Sequence, residues 1–140
     1  MAIRQLSVFI ENKKGSLHEI TDILAKENID LRSMCVADTA DYGIVRIIVD
    51  DPIKALDVFQ KSGHTANMRE VTAFAVPDCP GGLATVLALL ENNGIDIEYL
   101  YALITTATDK AFAVMRTYNC ADTEALLIKN GVELLKEENI

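Results

Sequence analysis

Residues 75–83 read Ala-Val-Pro-Asp-Cys-Pro-Gly-Gly-Leu, and residues 9–17 read Phe-Ile-Glu-Asn-Lys-Lys-Gly-Ser-Leu. In both stretches an apolar run ends in a polar turn, and a glycine (Gly81 or Gly15) stands two residues before a leucine. Apolar residues with helical spacing follow each leucine, so each stretch is predicted to join a strand to a helix. The repetition of this junction predicts an internal duplication that sets the fold.

The duplication continues beyond these junctions. The separation of equivalent residues is 66 between Gly15 and Gly81, and it becomes 68 between Gly63 and Gly131. The two added residues are therefore expected in a polar turn of the second copy, near residues 105–110. No Pro-, Gly- or Ser-rich linker separates the copies, so one strand is expected to run directly into the next where they join.

Each copy is predicted to fold as strand, helix, strand, strand, helix, strand. Alternation over residues 6–10 indicates the first strand. Ser16 with Glu19 has the pattern of a capping box, and Asp51 followed by Pro52 is typical of a helix start. The further predicted elements are a helix from Ser16, a strand at 31–38, a strand at 44–49, a helix from Pro52 that Gly63 stops, a strand within 64–70, a strand at 71–76, a helix at 83–92, a strand at 97–104, a strand at 111–118, a helix at 122–130 and a closing strand from 132 to about 137.

Composition excludes several classes of function. The 140-residue chain carries 13 Lys and Arg against 21 Asp and Glu, a net charge of −8, so it lacks the basic footprint of a duplex nucleic-acid binder or an anionic-membrane binder. The amino terminus lacks a basic segment followed by an apolar one, and no signal peptide is predicted. Cys35, Cys79 and Cys120 have no zinc or redox spacing, which favours reduced thiols in a cytoplasmic protein.

The strand at 44–49 is apolar on both faces. Val45, Ile47 and Val49 alternate with Ile44 and Ile48, whereas two helices cover only one face of a four-stranded sheet. We therefore expect the helix-free face to be covered by the sister copy or by another chain, which favours a homodimer. The alternative is an open, slightly apolar face.

Catalytic patterns are lacking in the sequence. The nucleotide-binding glycine patterns, the nucleophile elbow and the zinc-protease motif are all missing, so no cofactor and no metal are predicted. Ser16, His18 and Asp22 cannot converge as a triad, because residues two apart on a helix point apart. His64 is expected near the surface, with a ligand contact or a pH-sensitive contact as the alternative. Cys79 is the candidate reactive thiol.

The two strand-to-helix loops are the candidate binding sites. The first amides of a helix lack intrahelical partners and carry the positive end of the helix dipole, so such a loop suits a small carboxylate or phosphate. Asn12 or Asp78 is placed to accept a hydrogen bond from an ammonium group. Ser16 is expected to cap its own helix whereas Gly82 cannot, so the second loop is predicted to be the better anion site. Ordinary glycine turns are the alternative interpretation.

At these residues the sequence resembles the ACT domain family, small ligand-binding regulatory modules of amino-acid metabolism. The resemblance covers nearly the whole chain as two tandem units. It rests on the loops at 12–17 and 78–83, where Pro-Gly-x-Leu is intact in the second copy, and on Ile-Asp at 29–30 and Asn-Gly-Ile-Asp-Ile at 93–97. Lys14 stands where the family usually has proline, which makes the first site less certain.

The resemblance implies an α+β fold, with two ferredoxin-like β-α-β-β-α-β units at 1–70 and 71–140 whose antiparallel sheets pair side by side. It also implies that an effector, often an amino acid, binds between units, where the loop of one unit meets the second strand of its neighbour. The implied ligand-binding residues are Asn12, Lys14, Gly15, Ser16, Leu17, Met34, Cys35, Asp78, Cys79, Pro80, Gly81, Gly82, Leu83, Tyr99 and Leu100.

These expectations predict a non-enzymatic regulatory protein. ACT units usually accompany a catalytic domain, so a pair without one resembles a sensor or a subunit that regulates a metabolic enzyme in trans. The first alternative is a structural interaction subunit with a vestigial ligand site. The second is a small ferredoxin-like enzyme or metal carrier.

Overall fold

The computed structural model describes residues 2–38, 41–104 and 109–140 of the chain. It divides into two compact units: Arg4–Arg69 forms the first unit, and Glu70–Ile140, with the first residues of the chain, forms the second. The elements are β1 (Ile3–Glu11), α1 (Ser16–Lys26), β2 (Leu31–Asp38), β3 (Tyr42–Val49), α2 (Pro52–Lys61), β4 (Ala66–Pro77), α3 (Gly82–Asn92), β5 (Ile97–Leu103), β6 (Lys110–Thr117) and α4 (Cys120–Lys129).

The sheet of the first unit has β3 at its centre, antiparallel to both β2 and β1. On the other side of β1, the Phe9 N–H donates to the carbonyl of Thr65, just before β4 begins. One face of the sheet packs on α1 and α2 around a core of Leu6, Val8, Ile20, Leu24, Ile29, Val45, Ile47, Val49, Ala55 and Phe59. Alternation of apolar residues on the strands and their helical spacing on α1 produce this core.

The sheet of the second unit repeats this arrangement. Strand β6 is antiparallel to both β4 and β5, and α3 and α4 cover a core of Phe74, Val76, Val86, Leu90, Ala113, Met115 and Leu127. The predicted fold class, a ferredoxin-like β-α-β-β-α-β unit twice over, is confirmed. The predicted run of strand into strand is also confirmed, since β4 is continuous from Ala66 to Pro77.

The closing strand predicted from residue 132 to about 137 is wrong in its extent. Only two hydrogen bonds tie this segment to β4: the Ala75 N–H donates to the Glu133 carbonyl, and the Leu135 N–H donates to the Ala73 carbonyl. The chain then turns into a single 3-10 turn at Glu137–Asn139. The segment therefore pairs with β4 through an isolated bridge between Phe74 and Leu134 and does not form a regular strand.

The position of the two added residues agrees with the prediction. Equivalent strands β2 and β5 begin 66 residues apart, at Leu31 and Ile97, whereas β3 and β6 begin 68 apart, at Tyr42 and Lys110. The addition therefore falls between β5 and β6, in an interval that lies partly outside the described residues.

Two of the four helices, α2 and α4, begin with a side-chain cap, and α1 and α3 do not. The Asp51 carboxylate accepts a hydrogen bond from the Lys54 N–H at 3.1 Å, which confirms the predicted cap of α2. The equivalent Asn119 caps α4 through the Asp122 N–H at 3.1 Å. The capping box predicted at Ser16 and Glu19 is wrong, because Gly15 occupies the N-cap position and no side chain caps α1.

Both faces of the central strands are buried. Ile48, Val71 and Val114 lie opposite the helix-covered cores, and each has no more than 1% of its surface exposed. This agrees with the doubly apolar pattern of these strands. Among the described residues, no helix is long and apolar enough to cross a membrane.

Candidate functional site

The two strand-to-helix loops have the same backbone conformation. Gly15 and Gly81 each have φ 88° and ψ −8°, in the left-handed region, directly before the first residue of α1 and of α3. Glycine adopts this region without the steric cost that a Cβ atom brings. The backbone therefore needs glycine at both positions, with or without a ligand.

Equivalent hydrogen bonds hold the two loops in place. The Lys13 N–H donates to the Glu11 carbonyl, and the Cys79 N–H donates to the Pro77 carbonyl, both at 2.9 Å. The start of each loop is also bonded to the turn before the third strand of its unit. In the second unit the Asp78 N–H donates to the Asp109 carbonyl at 3.2 Å, and the first unit has the equivalent hydrogen bond. Each loop is thus fixed to the turn before the third strand of its own unit.

Neither α1 nor α3 has a side-chain cap. The expected contrast, in which Ser16 would satisfy its helix amides and Gly82 would not, is therefore wrong. Ser16 is already the first residue of α1 and is buried, so its hydroxyl is not at the N-cap position where such a bond forms. The two helix starts are therefore alike in having no side-chain cap.

Gly82 is needed for a second reason. A Cβ atom at this position would lie 2.2 Å from the carbonyl oxygen of Pro77. The start of α3 therefore packs directly on the last residue of β4, and a glycine is the residue that allows this approach.

A cavity of about 640 Å³ opens beside the second loop. We call it the second-unit cavity. Its lining consists of Ala75, Val76, Pro77, Cys79, Pro80, Gly81, Gly82, Thr85, Val86, Asp109, Lys110, Gly131, Val132 and Glu133. The end of β4 and the start of α3 form its walls with the segment after α4, so all of its lining belongs to the second unit. Its volume falls in the range of small-molecule sites.

An ion pair lies in the lining of this cavity. Lys110 Nζ donates a hydrogen bond to the Glu133 carboxylate, and both side chains are about half exposed. This hydrogen bond, with the attraction of the carboxylate charge, raises the pKa of Lys110. The pair offers one positive and one negative group to an occupant of the cavity.

The structure places some of the predicted site residues of the second unit together and leaves others apart. Cys79, Pro80, Gly81 and Gly82 line the second-unit cavity. Asp78, Leu83, Tyr99 and Leu100 are not among its lining residues. Tyr99 lies on β5 and stacks on Tyr101, with ring centroids 6.4 Å apart.

In the first unit the predicted residues line a smaller pocket of about 240 Å³. Asn12, Gly15, Ser16 and Leu17 contribute to it, with Val36 of β2 among their neighbours. Lys14, Met34 and Cys35 are not among its lining residues. Ligand binding by Met34 and Cys35 on β2, like that by Tyr99 and Leu100 on β5, stays a prediction.

Sequence reasoning missed four of the residues that give the second-unit cavity its character: Thr85, Lys110, Val132 and Glu133. Thr85 is one turn into α3, Lys110 is the first residue of β6, and Val132 and Glu133 follow α4. The signal available was the repeat, because Gly131 aligns with Gly63 and both follow a helix. The alignment of equivalent positions thus indicates this corner of the unit, although it does not indicate that a cavity opens there.

The described residues contain no group of three or more His, Cys, Asp or Glu side chains that could hold a metal ion. The cysteines are free thiols: Cys120 is buried, Cys35 is half-buried and Cys79 is exposed. The exposed Cys79 thiol therefore borders the cavity.

Comparisons with known proteins agree with the observed fold. A family model described as an ACT domain pair matches residues 1–140. No curated protein matches the chain. The structure is similar to protein BT0572 from Bacteroides thetaiotaomicron, with 40% identity, a TM-score of 0.92 and coverage of 99% of this chain and 95% of that one.

More distant structures share the fold alone. The ligand-free regulatory subunit of aspartate kinase from Thermus thermophilus has 14% identity and a TM-score of 0.67, over 90% of this chain and 91% of that one. Clostridium acetobutylicum aspartate kinase has 12% identity and a TM-score of 0.55, over 91% of this chain and 32% of that one. With the family model matching along its full length, the chain belongs to the ACT domain family, as a pair of ACT domains.

Proposed function

We propose that this protein is a non-enzymatic regulatory protein whose second unit binds an α-amino acid. The observation that carries the proposal is the second-unit cavity, which joins an uncapped helix start to a Lys–Glu pair within one lining. The predicted cytoplasmic location and the trans-acting role on a metabolic enzyme are part of the same proposal.

The chemistry of the cavity fits the two ends of an amino acid. The positive end of the α3 dipole and the Lys110 ammonium attract a carboxylate. The Glu133 carboxylate can accept a hydrogen bond from an ammonium group. This role was predicted for Asp78, but Asp78 is not among the residues that line the cavity. A zwitterion therefore meets an opposite charge at each end.

Regulation requires that the ligand bind one arrangement of the protein better than another. The loop before α3 is tied to the turn before β6 by the hydrogen bond between Asp78 and Asp109. A ligand held against Lys110 and the start of α3 stabilises the arrangement in which these elements are together. The aspartate kinase regulatory subunit with the same fold supports a role as the regulatory partner of an enzyme.

A second candidate is an interaction subunit whose function does not need a ligand. Exposed apolar side chains on and beside β2, namely Met34, Val36 and Tyr42, favour it. Such a protein would keep its partner when the cavity is altered and lose it when these side chains are replaced by charged ones.

The test is a thermal unfolding screen of the purified protein against the twenty amino acids, each at millimolar concentration. A ligand at about 100 times its dissociation constant stabilises a fold by about 2.7 kcal/mol, which is a shift of several degrees. We expect a shift with one or a few amino acids, and its loss in Gly81→Val.

Gly15→Val is the matched control, because it places the same strain at the equivalent position, outside the second-unit cavity. It should lower the unfolding temperature as much as Gly81→Val does and yet keep the ligand-induced shift. A flat screen on folded protein would remove the amino-acid proposal and leave the interaction subunit.

A further inference from the structure

The second-unit cavity has a counterpart in the first unit, formed by equivalent residues. A pocket of about 250 Å³, here called the first-unit cavity, is lined by Phe9, Ile10, Glu11, Lys13, Ser16, Glu19, Gly63, His64 and Thr65. Shifted by 66 or 68 residues, every one of these positions also lines the second-unit cavity, as Ala75, Val76, Pro77, Cys79, Gly82, Thr85, Gly131, Val132 and Glu133. The two cavities therefore lie at equivalent places in the two units, and they differ in volume.

The first-unit cavity is narrowed by the protein's own side chains. The His64 side chain is only 16% exposed, and its Nε2 lies 3.3 Å from Glu19 Oε1. Its ring also meets Phe59 edge-on, with the ring centroids 6.2 Å apart. An imidazole ring and a carboxylate thus stand in the space that an occupant of this cavity would need.

Smaller side chains replace both groups in the second unit. Val132 stands where the first unit has His64, and Thr85 stands where it has Glu19. The backbone at the histidine position is held in the same way in both units, since the N–H groups of His64 and Val132 donate to carbonyls five residues earlier, at 3.0 and 2.9 Å. The difference in volume therefore follows from side chains and not from a different path of the chain.

The position of the charged pair also differs between the two units. Lys110 and Glu133 correspond by the same shift of 68 residues to Tyr42 and Thr65, neither of which is charged. The first-unit cavity has an ion pair of its own, since Lys13 Nζ lies 3.0 Å from Glu11 Oε2, but both of these side chains are mostly exposed. The two cavities therefore differ in their volume and in the place of the ion pair in their lining.

The walls of the second-unit cavity decide what kind of side chain its occupant carries. Ala75, Val76, Val86 and Val132 present only hydrocarbon, and they lie in the same lining as the Lys110–Glu133 pair. Apolar walls favour an apolar side chain and penalise a charged one, which would be desolvated without a partner. The exposed ion pair costs little to open, so its two groups can turn to the ligand.

We propose that each chain binds one aliphatic α-amino acid, in the second-unit cavity alone, while the His64 and Glu19 side chains narrow the equivalent cavity of the first unit. The ligand's carboxylate pairs with Lys110, its ammonium group with Glu133, and its branched hydrocarbon side chain packs on the valine walls. This inference rests on the proposed function and adds to it the ligand class, the contacts and the stoichiometry.

Isothermal titration calorimetry with L-valine, L-isoleucine and L-leucine tests the proposal, with L-aspartate and L-lysine as the charged comparators. We expect one site per chain for at least one aliphatic amino acid and a dissociation constant at least tenfold weaker for both charged ones. Two sites per chain, or tighter binding of aspartate or lysine, would overturn the inference and leave amino-acid binding itself in place.

The variant Thr85→Glu restores the first unit's residue and puts a carboxylate into the cavity. It should weaken binding of the aliphatic amino acid at least tenfold. Ala84→Glu is the matched control, because it adds the same charge to the first turn of α3 at an exposed position outside the cavity lining. Its dissociation constant should stay within twofold of the unaltered protein's.

Equal binding by Thr85→Glu and the unaltered protein would place the ligand elsewhere and overturn the inference. Both variants change exposed positions, and circular dichroism with thermal unfolding establishes that they are folded. If none of the twenty amino acids binds the unaltered protein, the proposed function fails, and this inference fails with it.

Discussion

The carbonyl oxygen of Pro77 occupies the place where a side chain on Gly82 would begin: a Cβ atom built on that glycine lies 2.2 Å from it. The two residues belong to regular elements, since Pro77 ends β4 and Gly82 begins α3. The same carbonyl accepts the Cys79 N–H, so it cannot rotate away without loss of that bond. The start of α3, and with it one wall of the second-unit cavity, therefore requires that residue 82 have no side chain.

Gly82→Ala tests this close approach. Because the clashing atom is backbone, α3 must shift relative to β4, and we expect a loss of about 1–3 kcal/mol in the free energy of unfolding. Urea denaturation followed by circular dichroism measures it. Ala84→Gly, at an exposed position in the same helix turn, shows separately what the difference in helix propensity between the two residue types costs, about 1 kcal/mol. An unchanged stability of Gly82→Ala would show that the helix start adapts freely.

The caps provide a second prediction. Asp51→Ala removes the side chain that accepts the Lys54 N–H, and the loss of such a cap costs about 1 kcal/mol. Ser16→Ala removes a hydroxyl that caps nothing, so its cost should be clearly smaller. Denaturant midpoints of the two variants, measured in parallel, decide the order. A larger loss for Ser16→Ala would restore the capping box that the structure contradicts.

The fold was predictable from sequence because local patterns and the repeat agreed. Strand β2 lies at Leu31–Asp38, the range that alternation and turn residues predict, and α2 begins at Pro52 behind its Asp51 cap. The repeat supplied a check on every such interpretation, since each element had to appear twice. The segment after Val132 is an exception. Its apolar residues predicted a strand, but they did not reveal that it pairs with β4 through only a short stretch.

The site was less predictable, for a physical reason. The glycine loops are recognisable because a left-handed residue needs glycine. The openness of the cavity depends instead on pairs such as His64 and Glu19, or Val132 and Thr85, which meet only after folding. A capping pattern at Ser16 also depends on where the helix begins, and Gly15 takes the cap position in the folded chain.

The two left-handed glycines should be equivalent in cost. Gly15 and Gly81 share φ 88°, and a Cβ atom at either position would meet no atom within 4 Å. The cost of alanine is therefore one of backbone conformation alone, about 1–2 kcal/mol at each position. We expect Gly15→Ala and Gly81→Ala to lose the same stability in urea denaturation, and asparagine to cost less than alanine at both. Unequal losses would show that one loop is held in its conformation by contacts that the other lacks.

The Lys110–Glu133 pair gives a prediction about pH. The hydrogen bond to Glu133, followed by the charge of that carboxylate, raises the pKa of Lys110 above its ordinary value of 10.5. A raised pKa in the folded state means that the pair stabilises the fold fully below pH 10.5 and that this contribution is lost as the pH rises through the higher folded value. The window of change therefore lies in alkaline solution, above the range in which carboxylates titrate.

A double-mutant cycle with Lys110→Met and Glu133→Gln isolates this contribution from other groups that titrate at high pH. We expect a small favourable coupling energy at pH 8, constant to about pH 9.5 and smaller at pH 11, measured by urea denaturation at each pH. A coupling that persists undiminished at pH 11 would mean that the two side chains interact through their hydrocarbon and not through charge. Because the same two side chains are proposed to hold the ends of the ligand, each single variant should also weaken amino-acid binding at pH 8.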